Sequence, residues 1–576
     1  MDILEIQKTP IWELFEKGRN YNRMMGLFLD TDRNYRMYNG DQWGGAKLGG
    51  VEPVQVNFIK PIIKYKLSVI HSNLYAINYS SLNHKDPGTH KMTERVCKLL
   101  NGYAAQIWEQ DKLDVKNREV TLDAAVNDEG ILYVNFDREA MRPVNEIIDK
   151  NDIYYGNENS DDIQSQPYIL IRKRMPVVNA IEIAKEEGVS EADLVYLIGD
   201  MDTSEQAGEA ANLELDNMVS VIYKMYKRNG TVHFSAATKW VEILKDVDLG
   251  ITRYPVAHFL WERKKGSSRG EGEVRYLIPN QIEVNKTLMR RALTAKAQGF
   301  PQRVVNKSKV RDVRELDRVG GTVITEDQTV EDVRKIVGTI PPAQMSPDVV
   351  KLQEDLINVT RELAGAGDVA TGQVNPEDAS GRAILAVQQA SQAPLTSQRE
   401  GFKGFIEDVA LIWLEYFTVY AENGIQLEET VPDPTTGEDV VQLVMVPQAV
   451  LQDLKATVKI DVTPKGVYDK FAQEQTIENM LINGLFHINR LSELEVYVEL
   501  LDDDSVAPKL KLQKACELMR AEQQKIATIQ AQGQMMQQRM RQFMMGDLAD
   551  QASMVSDAKM QIAAQQQAQE PAPEIA

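Results

Sequence analysis

The stretch Ile278-Pro279-Asn280-Gln281-Ile282-Glu283-Val284-Asn285-Lys286, running on to Gly299-Phe300-Pro301, decides the fold. It reads as one helix from Ile278 to Gln298, introduced by Pro279 and stopped by a glycine with a following proline. A second helix of similar length is expected from Pro347 to Leu363. Between them lies a compact segment, Gln302 to Met345, with β-prone Val304-Val305 and Thr322-Val323-Ile324-Thr325 around Gly320-Gly321, closed by Pro341-Pro342. A small β-containing insert held between two helices is unlike the alternating strands and helices of a parallel α/β enzyme sheet.

Toward the N-terminus the pattern is α+β. Trp12 to Tyr38 reads as helix and breaks at Tyr38-Asn39-Gly40-Asp41, residues that tolerate left-handed backbone. A helix follows from Lys60, with Pro61 in its first turn and Ile62, Ile63, Leu67, Ile70 and Leu74 recurring on one face. Further helices are expected at Gly88 to Trp108 and Asp114 to Asp128, and strands at Gly130 to Asp137, Tyr168 to Arg172 and Val219 to Lys227. Asn151 to Gln166 is polar and irregular, and Val177 to Leu197 reads as a small surface subdomain.

Toward the C-terminus, Gly365-Ala366-Gly367 opens a loop to about Ala379. A helical pattern then runs from Ser380 to Glu422, interrupted at Pro394, where the missing N–H kinks a helix. Strands are expected at Val440 to Val446 and Ala456 to Val462, and helices at Tyr468 to Phe486 and Ser492 to Leu501. The segment Lys509 to Gln567 has no proline, is rich in Gln, Met and Ala, and would span on the order of 90 Å if wholly helical. Leu512, Met519, Ile526, Ile529, Met536, Met540 and Phe543 step by sevens, threes and fours, giving one apolar stripe suited to helix association. Helix is expected to about Leu548, and roughly the last twenty residues carry a composition typical of flexible ends.

Composition bounds the function. A chain of 576 residues exceeds what one core usually serves, and a 43% apolar, 26% charged composition is ordinary for a folded globular protein. Cys97 and Cys516 stand far apart, which suggests neither a disulfide framework nor a thiolate metal site. The first residues lack the basic start and apolar run of a secretion signal, and the longest apolar stretches fall short of the roughly 20 residues that span a bilayer, so no membrane association is expected. A net charge of −20 argues against a protein that grips nucleic acid through many phosphate contacts.

Known chemistry is missing from the residue patterns. No G-x-x-x-x-G-K-[ST] loop occurs, Gly270-Glu271-Gly272 lacks the third glycine of a dinucleotide loop, and G-x-S-x-G and H-E-x-x-H are absent. Asp30, Asp32 and Asn34 have calcium-loop spacing, but Tyr35 stands where glycine is required. His84, Asp86 and His90 fit an ordinary turn at Pro87-Gly88 better than a metal site, and Asp502-Asp503-Asp504 reads as solvated cap residues. No metal, cofactor or catalytic residue is expected, and the protein is read as no enzyme.

Several segments together resemble the portal proteins of tailed double-stranded DNA bacteriophages, especially the large variety with an extended C-terminal helix. The resemblance is carried by Tyr35-Arg36-Met37-Tyr38-Asn39-Gly40-Asp41-Gln42-Trp43, by Val56-Asn57-Phe58-Ile59-Lys60-Pro61-Ile62, by Gly272-Glu273-Val274-Arg275-Tyr276-Leu277-Ile278-Pro279-Asn280-Gln281 with Asn285, and by Ser380-Gly381-Arg382-Ala383-Ile384. It implies a multi-domain α+β portal fold. Residues 1–275 would be an α/β wing, 276–299 and 347–364 the paired helices of a stem, and 300–346 a small β-containing clip. A tunnel loop would follow at 365–379, then a long kinked helix and further wing strands at 380–463. A helical crown would occupy 464–504, and a barrel-like helical extension with a flexible end 505–576.

The same resemblance implies a ring of about twelve copies with a summed charge of roughly −240, set at the capsid vertex for DNA packaging and ejection. Its expected partners are further copies of itself, double-stranded DNA in the channel, the terminase large subunit, major capsid and scaffolding proteins, and tail adaptors; its location would be the virion, and the host cytoplasm during assembly. Gly365, Gly367, Asp368, Gly372, Gln373 and Asn375 would form the tunnel loop, with polar, non-basic tips. Arg303, Lys307, Lys309, Arg311 and Arg314 make the clip locally basic and would face a partner. Met519, Ile526, Ile529, Met536, Met540 and Phe543 would form the seam between neighbouring C-terminal helices. The alternative reading is another virion structural or scaffold-like protein that associates through its C-terminal helix.

Overall fold

The computed structural model describes residues 3–44, 46, 52–81, 87–200, 217–299, 302–305, 314, 337–341, 344–367, 393–420, 424–432, 439–452, 456–464, 496, 514, 516, 518–520, 525, 530, 533–535, 537–538, 555–561 and 563. The chain divides into two units, Met1–Thr463 and Pro464–Ala576.

Helices α1 (Ile3–Lys8), α2 (Ile11–Met24), α3 (Leu27–Asn39) and α4 (Ile59–Ile70) precede strand β1 (Asn73–Ser81) and helices α5 (Pro87–Gln110) and α6 (Leu113–Asn127). Strands β2 (Glu129–Asp137), β3 (Arg142–Ile148), β4 (Ile153–Tyr155) and β5 (Tyr168–Pro176) follow, then α7 (Val177–Glu186) and α8 (Glu191–Leu194). Strands β6 (Met218–Arg228), β7 (Thr231–Ala237), β8 (Glu242–Asp248) and β9 (Val256–Leu260) lead to the central helix α9 (Glu273–Gly299). After it come β10 (Gln302–Val305), β11 (Val337–Ile340), α10 (Pro347–Leu363), α11 (Thr396–Tyr420), β12 (Ile425–Pro432), β13 (Asp439–Val446), α12 (Gln448–Gln452) and β14 (Ala456–Pro464).

Two antiparallel sheets organise the first unit, one in the order β3-β2-β9 and one in the order β4-β5-β6-β7-β8. Strand alternation sorts their side chains into different cores. On β5, Ile169 and Ile171 join the main core, while Tyr168 and Leu170 meet Ile6, Leu14 and Phe15 of α1 and α2. Helix α11, though distant in sequence, fills the main core: Phe402 and Phe405 approach Phe259 of β9 at 5.8 and 6.2 Å between ring centres, and Tyr416 donates to the Val134 carbonyl at 2.9 Å. Residues 396–420 and 1–275 therefore share one interior. Gly130 shows how closely α6 and β2 approach, since a Cβ there would lie 2.0 Å from the Val120 carbonyl oxygen.

Several expectations are corrected, and others fall outside the described residues. The helix expected over Trp12 to Tyr38 is two, α2 and α3, because Gly26 adopts a left-handed φ of 72° between them; α3 ends as expected, at left-handed Gly40. Leu74 lies on β1 and is exposed, since α4 stops at Ile70. Asn151 to Gln166 includes a buried strand, β4. Val177 to Leu197 is no separate surface subdomain: Val177, Ala180, Ala184 and Leu197 pack on Val219, Val221, Val241 and Ile243. Pro394 lies in a 3-10 turn, Ala393–Leu395, ahead of α11, and the expected helix before it falls outside the described residues. The helices expected at Tyr468 to Phe486 and Ser492 to Leu501 lie almost wholly outside them, Val496 being helical. In the second unit residues 555–561 and 563, beyond the expected helix end near Leu548, are helical.

A buried ion network ties the main core together. Glu129, with no side-chain exposure, pairs with Arg269 and with His258 Nε2 at 2.8 Å, and accepts from the Tyr155 hydroxyl at 3.2 Å; Arg269 also reaches Glu158 at 3.0 Å. Burial alone would raise the Glu129 pKa, but the Arg269 charge and the His258 contact outweigh it and hold it down, from the ordinary 4.5 to about 2. A depressed carboxylate contributes stability that is present above pH 4.5 and lost as pH falls through that window. Glu129→Gln should cost about 3 to 5 kcal/mol at neutral pH by leaving a buried guanidinium undercompensated. Denaturation followed between about pH 5 and 2 should show a shallower acid loss for the variant than for the wild type; equal slopes would contradict this role.

Candidate functional site

Helix α9 starts five residues before the expected Ile278, at Glu273, because that residue is held from two sides. Its carboxylate meets Lys66 of α4 at 2.7 Å and accepts from Trp261 Nε1 at 3.1 Å. Pro279 is therefore inside the helix rather than at its start. Both Pro279 and Arg275, whose carbonyl the proline cannot bond, are exposed.

The next turns of α9 carry an amide knot. Residues 52–58 are in neither helix nor strand, so their peptide groups need side-chain partners. Gln281, fully buried, supplies them: its Oε1 accepts from the Phe58 N–H at 3.1 Å and its Nε2 donates to the Val56 carbonyl at 2.7 Å. Asn285, one turn on, accepts from the Val56 N–H at 3.3 Å and donates to Gln42 Oε1. Gln42 in turn donates to the Met37 carbonyl at 3.1 Å, and Asn57 to the Tyr38 carbonyl at 2.9 Å. The chain around residues 37–42 and 56–58 is thereby closed onto α9, more than two hundred residues away, in one hydrogen-bonded unit.

Beyond the knot, α9 pairs with α10. Asn280 Nδ2 donates to Thr360 Oγ1 at 2.9 Å, and Arg291 to Gln353 Oε1 at 2.8 Å, so the contact moves backward along α10 as it moves forward along α9 and the helices are antiparallel. Gln353 and Thr360 are seven residues apart, on one face, and both are buried. At the far end β10 and β11 pair antiparallel, from Gln302 opposite Ile340 to Val305 opposite Val337. Ser346 then caps α10, accepting from the Asp348 N–H. The result is a helical hairpin, rooted in the first unit by buried amides and ending in a two-stranded ribbon.

The expected site residues fall unevenly on this frame. Arg303 lies on β10, and Arg314 is an exposed residue between β10 and β11; Lys307, Lys309 and Arg311 lie outside the described residues. Gly365 belongs to a folded turn and Gly367 follows it: Gly365, at φ 70°, and Ala366 donate back to Glu362 and Arg361 at 2.9 and 2.8 Å, and Ala364 and Ala366 are buried in the main core. Asp368, Gly372, Gln373 and Asn375 lie outside the described residues, as do Ile526, Ile529, Met536, Met540, Phe543, His84, Asp86 and Asp502 to Asp504. Met519 is helical and half-buried. Asp30 and Asp32 pair with Arg33 and Arg36, and Asn34 donates to the Val126 carbonyl at 3.1 Å. No group of three or more His, Cys, Asp or Glu that could hold a metal is found among the described residues.

A cleft of about 430 Å³ is lined by residues of both sheets and α11, among them Tyr133, Phe136, Arg138, Tyr223, Phe234 and Tyr420. Arg138 sits over the Tyr420 ring at 5.1 Å, a cation held by an aromatic face rather than poised for proton transfer. The organising residues are instead Gln281, Asn285, Arg291, Gln353 and Thr360, whose roles sequence reasoning missed. Polar residues on an otherwise apolar helical face were the available signal.

A family model for the Phage P22-like portal protein matches residues 29–573 of this chain. No curated protein matches it. The match runs through the knot, the helix pair and the C-terminal unit, and so defines a class first: phage portal proteins, virion components of DNA packaging and of the head-tail connection. Within that class the chain belongs to the P22-like portal protein family.

Gln281→Leu would leave the Val56 carbonyl and Phe58 N–H without their buried partner. It should cost about 2 to 4 kcal/mol, whereas Asn280→Ala, at the partly buried bridge to Thr360, should cost about 1 kcal/mol. Chemical denaturation of both variants checks the order; an equal cost would mean that the knot carries no more than the bridge.

Proposed function

We propose that this chain is one subunit of a ring of about twelve that surrounds a channel for double-stranded DNA at the capsid vertex. The carrying observation is the antiparallel pair α9 and α10, rooted in the first unit by the amide knot and tipped by the β10–β11 ribbon. In this reading residues 1–275 and the strands within 380–463 are the wing, 276–299 and 347–364 the stem, and 300–346 the clip. Residues 365–379 are the tunnel loop, 464–504 the crown, and 505–576 a helical extension sealed by the stripe that includes Met519.

The ring docks the terminase large subunit during packaging and tail adaptors afterwards, through a clip made locally basic by Arg303, Lys307, Lys309, Arg311 and Arg314. Capsid and scaffolding proteins are its neighbours at the vertex, where it arrives from the host cytoplasm. Its contribution is geometric, with no reaction of its own. A net charge of −20 per copy and the non-basic loop residues Asp368, Gln373 and Asn375 fit a channel along which DNA slides, because many phosphate contacts would hold it. Negative-stain imaging of the purified chain should show rings with a central hole; particles that stay monomeric across protein and salt concentrations would overturn the reading.

A further inference from the structure

The helical hairpin has two exposed faces of opposite character. On α9 the exposed positions 275, 279, 282, 286, 290 and 293 form a stripe at helical spacing, in which Ile282 and Leu293 alternate with Arg275, Lys286 and Arg290. Glu283, at 3.8 Å from Lys286 and 3.5 Å from Arg290, is one carboxylate shared by two cations, so the stripe keeps excess positive charge. On α10 the exposed Asp348, Asp355 and Glu362 recur every seven residues, interleaved with Leu352, Val359 and one cation, Lys351, so that stripe keeps excess negative charge. Leu352 and Val359 are 52% and 49% exposed although the residues that follow each of them, Gln353 and Thr360, about 100° around the helix, are buried against α9. One helix thus shows a basic and apolar stripe, the other an acidic and apolar one, and neither is covered by the described residues of the same copy.

Ring closure requires two different surfaces that fit each other, because every copy offers one to the neighbour on its left and the other to the neighbour on its right. Rotation about the ring axis leaves height along that axis unchanged. For a hairpin running along the axis, residues level within one copy are therefore level across the interface as well. The bridges from Asn280 to Thr360 and from Arg291 to Gln353 set those levels. By them, Ile282 stands near the height of Val359, Lys286 near Asp355, Leu293 near Leu352, and Arg275 toward Glu362.

We propose that the α9 stripe of one copy seats on the α10 stripe of the next, basic residues on acidic and apolar on apolar. The proposal rests on the ring reading above and adds which faces meet and in what register. Exposed charge pairs are individually weak, but they are repeated at every interface and reject a like-charged neighbour, so their main effect is on which faces dock.

The test uses two full-length variants. Lys286→Glu with Arg290→Glu makes both stripes acidic; Asp355→Lys with Glu362→Lys makes both basic. All four residues are exposed, so each variant should keep the wild-type unfolding midpoint. Each alone should assemble at least about tenfold more weakly than wild type at low salt, with the deficit shrinking as salt rises. An equimolar mixture should recover rings, because in alternating order every interface is again complementary. Variants that form rings alone as well as wild type does would overturn the stripe pairing and leave the ring reading standing. Folded variants that fail alone and also fail when mixed would overturn the pairing in the same way. Absence of rings from the wild-type chain would remove the ring reading itself, and the pairing with it.

Discussion

A segment of backbone that lies in neither helix nor strand must find partners for its peptide groups elsewhere, and Gln281 answers that need for Val56 and Phe58. A carboxamide presents the same donor and acceptor as a peptide unit, so one buried side chain can do for this segment what a neighbouring strand does in a sheet. The cost of leaving those groups unmade fixes the position of α9 more tightly than apolar packing would, since packing tolerates sliding and a donor-acceptor pair does not. Everything distal on the hairpin inherits that placement: the bridges to α10, the ribbon at the far end, and the two charged stripes.

The root of the hairpin is reinforced by charge. Glu273 is shared between Lys66 and Trp261, and it begins the helix that the knot then grips. Close by in sequence, Arg269 reaches into the network around Glu129. Buried ionic groups of this kind add little net stability over a well-packed apolar core, but each is costly to break singly. They suit an element that has to keep its direction. Along the hairpin Leu293, Leu352 and Val359 are exposed, and in the proposed ring a neighbouring copy covers them.

The legible parts of the sequence were those where a local rule and the tertiary structure agree. Helix α10 matches its expected bounds because Ser346, Pro347 and the apolar period coincide, and β2 because a short β-rich run sits between turn residues. Helix α9 begins earlier than expected because Glu273 is fixed by Lys66, more than two hundred residues away, a contact no local rule contains. The same holds for β1, which pairs with β14 from the far end of the first unit. At the site, the segments carrying the family resemblance were recognisable by their wording, but not why they occur together. Gln42, Asn57, Gln281 and Asn285 are ordinary polar residues until the fold brings them within hydrogen-bond distance.

Hydrogen exchange at the Phe58 amide of the folded chain reads the amide knot without an intermediary. That N–H stands at the open end of α4, where helices leave donors unpaired, and its partner is the Gln281 side chain. Exchange as slow as that of the amides in β2 is expected, with this protection collapsing in Gln281→Leu. Fast exchange in the wild-type chain, like that of a solvent-exposed loop, would contradict the anchoring of the hairpin by the amide knot.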